Sequence, residues 1–562
     1  MQKLKWIFLW IFLSSSFIFA QEKNAQNTDS KNDSSRFEVS KQLDIFNALV
    51  KEMEMFYVDT IDMQMTMRRG IDAMLRGLDP YTEYIPEDEM EELQMITTGE
   101  YGGIGATIRY RDNATIITEP FEGMPAALGG LKAGDKILSI DDKDATIISS
   151  SRVSEMLKGL PNTTVKLKIE RPGEKKPLTF DLTRKQVVMD QVTYYGMRDD
   201  SIGYIYLQGF TDKSAEEIKS AFEDLRKNHP LKALILDLRD NGGGVLEGAV
   251  QTVGFFVPKG TEVISIKGKA SQLDRIYRTY NEPIDSLIPI AVLINGTSAS
   301  ASEIVAGSLQ DMDRAILIGQ RSFGKGLVQS TRNLPYDGKL KVTISKYYIP
   351  SGRCIQQLDY THRNPNGNVA AIPDSLTSVF YTAKGRPVRD GGGIRPDIEV
   401  EEEKMPTMLY YLYNDRDFIL FDYVNNWVEK HKTIPSPDRF VYSDEDYEDF
   451  KKIAIEKNFE YDRQSEKALN TLEEVAKFEG FLDEDSTLFT TLEEKLKPNL
   501  ERDLNTYKPE IKRYIASEIV KRYYYQKGEM QYGLQDDKTL EKAMEILNNR
   551  ELYAKILSSP EN

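Results

Sequence analysis

Residues Ile290–Asp311 read IAVLINGTSASASEIVAGSLQD. An apolar strand ends at Ile294, Asn295-Gly296 turns the chain, and a run of small residues leads into a helix carrying Ile304, Val305, Ala306 and Leu309. A serine at such a junction stands near the positive end of the helix, with little bulk to keep out a substrate backbone. Ser298, Ser300 and Ser302 all meet that description, and plain helix capping accounts for them equally well.

Outward from this stretch, short apolar strands alternate with helices from Gln191 to about Val400: SIGYIYLQ, a helix near Ala215 to Lys227, ALILDLR, a further helix, IAVLIN, another helix, then AILIG. Alternation of this kind predicts a layered α/β core. Two loops of that core carry chemistry. LILDLRDNGGGVLEGAV runs from a strand through three glycines into a helix, and consecutive glycines let backbone N–H groups approach a ligand closely. GQRSFGKGLVQ, Gly319 to Gln329, begins like a phosphate-binding loop, but Gly326 stands where the metal-binding hydroxyl belongs and the following residues read as a strand. Lys325 is then a candidate base. That role requires its pKa to fall well below the ordinary ~10.4, and desolvation by Phe323, Leu327 and Val328 is the available cause. Gln329 is placed to hold the neutral amine.

Other chemistries are poorly supplied. The chain has three histidines, His229, His362 and His431, none at metal-ligand spacing and none at a strand end of the α/β core, so a Ser-His-Asp triad or zinc site is hard to build. The single cysteine, Cys354, permits no internal disulfide and reads as a bystander.

The flanks complete the organisation of the 562 residues. Lys3 and Lys5 precede an apolar run from Trp6 to Phe19, too short for a membrane span, so residues 1–20 read as a signal peptide cleaved near Ala20. The expectation is export to the periplasm or the exterior. Losing those two lysines takes the formal charge from −16 to −18, which argues against nucleic acid or anionic membrane as the main partner. Residues 21–36 are a polar leader, and 37–98 a helical region with Ile45, Leu49 and Met53 at helical spacing. Residues 99–187 show short β-branched runs and glycine turns, a compact β module; 188–400 are the α/β core; 401–562 are acidic and helical, with stripes at Ile511, Tyr514, Ile515, Ile519 and at Leu540, Ala543, Met544, Leu547 read as helices packed on one another.

Taken together, SASASEIVAGSLQD followed by RSFGKGLVQ resembles the carboxyl-terminal processing peptidases, or tail-specific proteases, a family of serine-lysine endopeptidases, over roughly residues 37–400. The resemblance implies a crotonase-like core with Ser300 as nucleophile, Lys325 as base and Gln329 orienting it. It implies oxyanion donors at Ala301 and in the glycine run, at Gly242 or Gly243. EYGGIGATIR with GMPAALGGLKAGDKILSIDD resembles a PDZ domain inserted before the core, whose Gly102, Gly103, Ile104 and Gly105 would cradle the carboxylate of an apolar protein tail. No metal, nucleotide or other cofactor is implied. Cys354 replaces a frequent serine, and the tail after Val400 exceeds the family minimum, offering a surface for a homo-oligomer or an adaptor. Two rival readings use the same residues: a catalytically inactive tail-binding PDZ protein, and a crotonase-like acyl-transfer or lyase enzyme.

Overall fold

The computed structural model describes residues 36–558 apart from 112, 365–368, 402–404, 415–417, 462–463 and 497–498. The expected signal segment and residues 21–35 of the expected leader lie outside the described residues. The described chain divides into two compact units after Tyr84.

In the first unit, residues 36–56 form helix α1 and Met63–Arg76 helix α2. Asp62 caps α2 by accepting from Met65 N at 2.9 Å. The helical spacing is realised, but Ile45 and Leu49 on α1 are half exposed rather than packed. The turn GLDPYTEYIP is held by Asp79, whose Oδ1 accepts from the amides of Tyr81 and Thr82, both at 2.8 Å.

The second unit begins with α3 (Met90–Thr98) and the β module. Strand β1 (Glu100–Gly103) pairs with β7 (Lys185–Val188). Between them β2 (Ala106–Arg111), β3 (Ala114–Pro120), β4 (Lys136–Ile140), β5 (Thr164–Glu170) and β6 (Leu178–Thr183) form an antiparallel sheet in chain order. Strand β2 lies at the sheet edge, beside helix α4 (Ser150–Leu157). The strict alternation in β5, with Val165, Leu167 and Ile169 buried between exposed neighbours, aims one face at a core shared with Val153 and Leu157 of α4.

The α/β core follows. Strands β8 (Tyr194–Met197), β9 (Ile202–Tyr206), β10 (Ala233–Asp237), β13 (Ile290–Ile294), β14 (Ile316–Gly319) and β17 (Ile398–Glu399) lie in that order, with β8 antiparallel and the rest parallel. A side sheet holds β11 (Glu262–Gly268), β12 (Arg275–Arg278), β15 (Leu327–Asn333) and β16 (Lys339–Tyr348). Every residue of β10 and β13 is buried, as expected where both faces of a parallel sheet are covered. One face, with Leu236, Val292 and Ile294, packs on α5 (Ser214–Asn228), α6 (Leu246–Gly254) and α7 (Ala301–Asp311).

The opposite face corrects an expectation. Ile235, Leu293 and Ile318 pack on Leu540, Ala543 and Leu547, so that stripe lies against the core sheet rather than against another helix. Each fully buried aliphatic side chain there contributes about 1.5–3 kcal/mol. The stripe of Ile511, Ile515 and Ile519 does pack among helices, in a core built on α8 (Ile419–Lys430) and α9 (Lys508–Gly533) with Trp427, Phe440 and Phe450. Helix α9 breaks at Tyr525, where φ is 54°, and α10 (Lys538–Asn548) follows it.

Candidate active site

Three adjacent parallel strands, β10, β13 and β14, end at one edge of the core sheet. The glycine run follows the first, the serine run the second and the Lys325 loop the third. Loops beyond the carboxyl ends of parallel strands converge in space, which is why an α/β core gathers a site there from distant stretches of sequence.

The three serines separate clearly. Ser298 and Ser302 have no exposed surface; Ser298 Oγ donates to Leu238 O at 2.7 Å and Ser302 Oγ to Asn241 O at 2.9 Å. Both therefore stitch the serine turn to the glycine loop, as does Ala299 N, which donates to Asn241 O at 3.0 Å. Ser300 is half-buried and stands at the N-cap of α7 with φ 55° and ψ −111°. A left-handed backbone at a residue with a Cβ costs roughly 1–3 kcal/mol and persists only where surrounding bonds impose it.

Gly243 explains part of that imposition. It has φ 100°, and a Cβ there would lie 2.8 Å from Ser300 Cβ, 2.7 Å from Ala299 O and 3.0 Å from Ala301 N. Only glycine fits so close to the turn. Its own N–H donates to Asn241 Oδ1 at 2.9 Å, and Asn241 Nδ2 donates to Leu207 O at 2.9 Å. Gly242, by contrast, would carry a Cβ with nothing within 4 Å.

Lys325 is half-buried. Its loop is pinned on both sides: Phe323 N donates to Ser298 O at 3.0 Å and Gly326 N to Gln356 Oε1 at 2.7 Å. Of the expected apolar neighbours Leu327 is buried and Val328 half-buried, whereas Phe323 is 43% exposed. No helix follows the lysine; Leu327 begins β15. Gln329 lies on that strand and donates its amide nitrogen to Thr343 Oγ1 at 3.1 Å, which leaves its oxygen as the acceptor end. Beneath the turn, the Tyr347 hydroxyl donates to Ser300 O at 3.3 Å, and burial raises its pKa well above the ordinary tyrosine value.

One residue joins these loops that the sequence reading did not single out. Glu303, fully buried on α7, accepts from Ser300 N at 2.8 Å and Lys325 N at 2.9 Å on Oε2. Its Oε1 accepts from Ser322 Oγ at 2.6 Å and Gly324 N at 2.7 Å. Burial raises its pKa above the ordinary glutamate value against the downward pull of those donors. The available signal was the spacing Ser300-Ala-Ser-Glu303, which matches a capping box and so reads as helix chemistry only.

Gly102, Gly103, Ile104 and Gly105 sit apart from this cluster, in the β module. Gly102 and Gly103 are not loop residues: they pair with Gln186 and Lys185 in the β1–β7 ladder, and a Cβ on Gly102 would lie 2.1 Å from Gly159 O. The loop between β1 and β2 consists of buried Ile104 and of Gly105 at φ 71°, opening onto the free edge of β2.

Comparison with known proteins assigns the parts. Residues 201–362 match peptidase family S41, residues 92–170 match the PDZ domain, and residues 408–547 match the family described as probable PDZ-protease, C-terminal helical domain. The carboxy-terminal-processing protease of Bartonella bacilliformis is 36% identical over 355 residues, which is 62% of this chain and 79% of that protein. The carboxyl-terminal-processing protease of Synechocystis is 35% identical over 297 residues, 51% of this chain and 68% of the relative. Among solved structures, a photosystem II D1 C-terminal processing protease is 27% identical with a TM-score of 0.35, over 64% of this chain and 88% of its own. The chain thus has an S41 peptidase fold with a PDZ domain and a C-terminal helical domain, and it belongs to the carboxyl-terminal processing protease family of serine-type peptidases.

Proposed function

We propose that this chain is an exported endopeptidase that takes hold of apolar protein C-termini through its PDZ domain and cleaves peptide bonds with Ser300 and Lys325, on a core of crotonase-like type. Export rests on the apolar segment behind Lys3 and Lys5. Neutral Lys325 accepts the hydroxyl proton as Ser300 Oγ bonds to the scissile carbonyl carbon. That proton then goes to the leaving amine as the C–N bond breaks. In the second half Lys325 takes a proton from water, the resulting hydroxide displaces Ser300 from the acyl carbon, and the serine recovers its proton. Gln329 Oε1 is the acceptor that orients the neutral amine. The oxyanion donors are Ala301 N and, since Gly243 N is engaged by Asn241, Gly242 N.

The observation that carries this reading is the singling out of Ser300: its neighbours Ser298 and Ser302 are locked to backbone carbonyls, while Ser300 faces the glycine run and meets the lysine loop at Glu303. For the tail, the free edge of β2 offers main-chain hydrogen bonds, and buried Ile104, Val153 and Leu157 line an apolar neighbourhood beside it. The test is turnover of a protein with an apolar tail by Ser300→Ala and Lys325→Ala, with tail-peptide binding as a fold control. Both variants are expected to bind and not to cleave. Cleavage at the native rate by either would remove the dyad, and binding without cleavage by the native chain would favour the inactive PDZ reading.

A further inference from the structure

The Glu303 carboxylate has no exposed surface, yet it takes four hydrogen bonds. Only one donor, Ser300 N, belongs to its own helix turn. The other three come from Ser322, Gly324 and Lys325, which lie 19, 21 and 22 residues further along. Capping of α7 would need the first bond alone. Ser322 Oγ extends the set by accepting from Ile394 N at 2.6 Å, so the carboxylate also anchors the segment after Gly391-Gly392-Gly393.

The arrangement suits an ionised carboxylate, whose two oxygens offer about four lone-pair sites and no proton. A buried carboxyl with fewer partners would be strongly unfavourable. Oε2 is the telling atom, because it receives the amide of the nucleophile and the amide of the lysine together. Ser300 holds a left-handed backbone that needs external support, and the bond from its N–H supplies it.

We infer that Glu303 is a positioning residue: it clamps the strained Ser300 turn and the Lys325 loop to one carboxylate, keeping hydroxyl and amine in register for proton transfer. This inference rests on the Ser300 and Lys325 reading above. A glutamine in its place keeps one acceptor oxygen for Ser300 N and Lys325 N but turns a donor NH2 toward Gly324 N and Ser322 Oγ, so the Gly324 N–H and the Ser322 hydroxyl proton both lose their acceptor. An alanine loses all four bonds.

The experiment uses the full chain with Glu303→Gln, Glu303→Ala and Ser322→Ala beside Ser300→Ala and Lys325→Ala. It reads kcat and KM on an apolar-tailed protein, the rate of fluorophosphonate labelling of Ser300, tail-peptide affinity and thermal midpoint. Glu303→Gln is expected to lower kcat on the order of 100-fold, as small misplacements of reacting groups do, with KM and tail affinity within about threefold of the native values. Labelling should slow in parallel, Glu303→Ala should lose more, and Ser322→Ala should lose about tenfold, with magnitudes set by how far the loops part. Native kcat in the folded Gln and Ser322→Ala variants, with only a lowered thermal midpoint, would overturn the clamp while leaving the dyad standing, provided Ser300→Ala and Lys325→Ala are dead. Native turnover by Ser300→Ala would take both readings down. If Glu303→Ala does not fold, the Gln and Ser322 variants decide the matter.

Discussion

The joint between the serine and lysine loops and the joint between the PDZ and helical domains are made of different materials. The first is dry and built largely from backbone amides on buried side chains: Glu303, Asn241, Ser298 and Ser302 have at most traces of exposed surface, and each bridges two stretches of chain. The second is charged and rings a cavity of about 1010 Å3. There Arg111 of β2 makes a two-pronged pair with Asp422 of α8 at 2.6 and 2.7 Å. Phe418 lies under the guanidinium groups of both Arg109 and Arg111, each 4.8 Å from its ring centre. Lys521 reaches Glu119 at 3.4 Å and Glu529 at 3.0 Å. Partly solvated ion pairs weaken with salt, whereas buried hydrogen bonds do so far less. The contrast teaches that the serine and lysine loops are joined by bonds that salt hardly touches, and that the PDZ domain is held to the helical domain by contacts able to give.

The strongest blow to the first joint is Gly243→Ala. Its methyl would collide with Ser300 Cβ and Ala299 O at a φ of 100°, so activity should fall on the order of 100-fold, while tail-peptide binding stays native. Gly242→Ala, in open space, should fold normally, and a melting curve for the pair separates the two glycines. Next comes Ser302→Ala, which strips one buried hydrogen bond from the loop contact and should cost about 1–3 kcal/mol in urea unfolding. At the second joint, Asp422→Arg sets like charges beside Arg111 and should destabilise by about 1 kcal/mol at low salt. Pairing it with Arg111→Asp should restore most of that, as a double-mutant cycle would report. Smallest is Arg109→Met, which keeps the apolar stem and removes one cation from over the Phe418 ring, about 0.5–1 kcal/mol. Equal salt sensitivity of Ser302→Ala and Asp422→Arg melts would erase the distinction between the joints.

The legible parts of the molecule were those where local chemistry and final role coincide. The apolar run of β10 up to Asp237 and the all-apolar β13 announced a sheet covered on both faces, and the small residues after Ile294 announced a crowded junction. Helix periodicity at Leu540, Ala543 and Leu547 was readable, but a stripe does not name its partner; a sheet face and a helix face require the same apolar surface. Gly102 and Gly103 misled because glycine marks both a turn and a strand crossed closely by another backbone, here at Gly159. Glu303 was hidden for a related reason. A glutamate at the third helical position satisfies a local rule completely, and nothing nearby in the chain shows that both its oxygens also serve a loop about twenty residues away.

The position of α10 bears on how the enzyme comes alive. Strands from Tyr194 to Gly319 leave the ribosome long before Leu540, Ala543 and Leu547, yet those three residues cover one face of the sheet that carries the serine and lysine loops. A chain folding as it emerges can bury only the α5–α7 side of that sheet fully until Leu540 to Leu547 are made. Helix α10 therefore acts as a timer: the platform beneath the serine and lysine loops is completed only after the PDZ domain and helices α8 and α9 have been made.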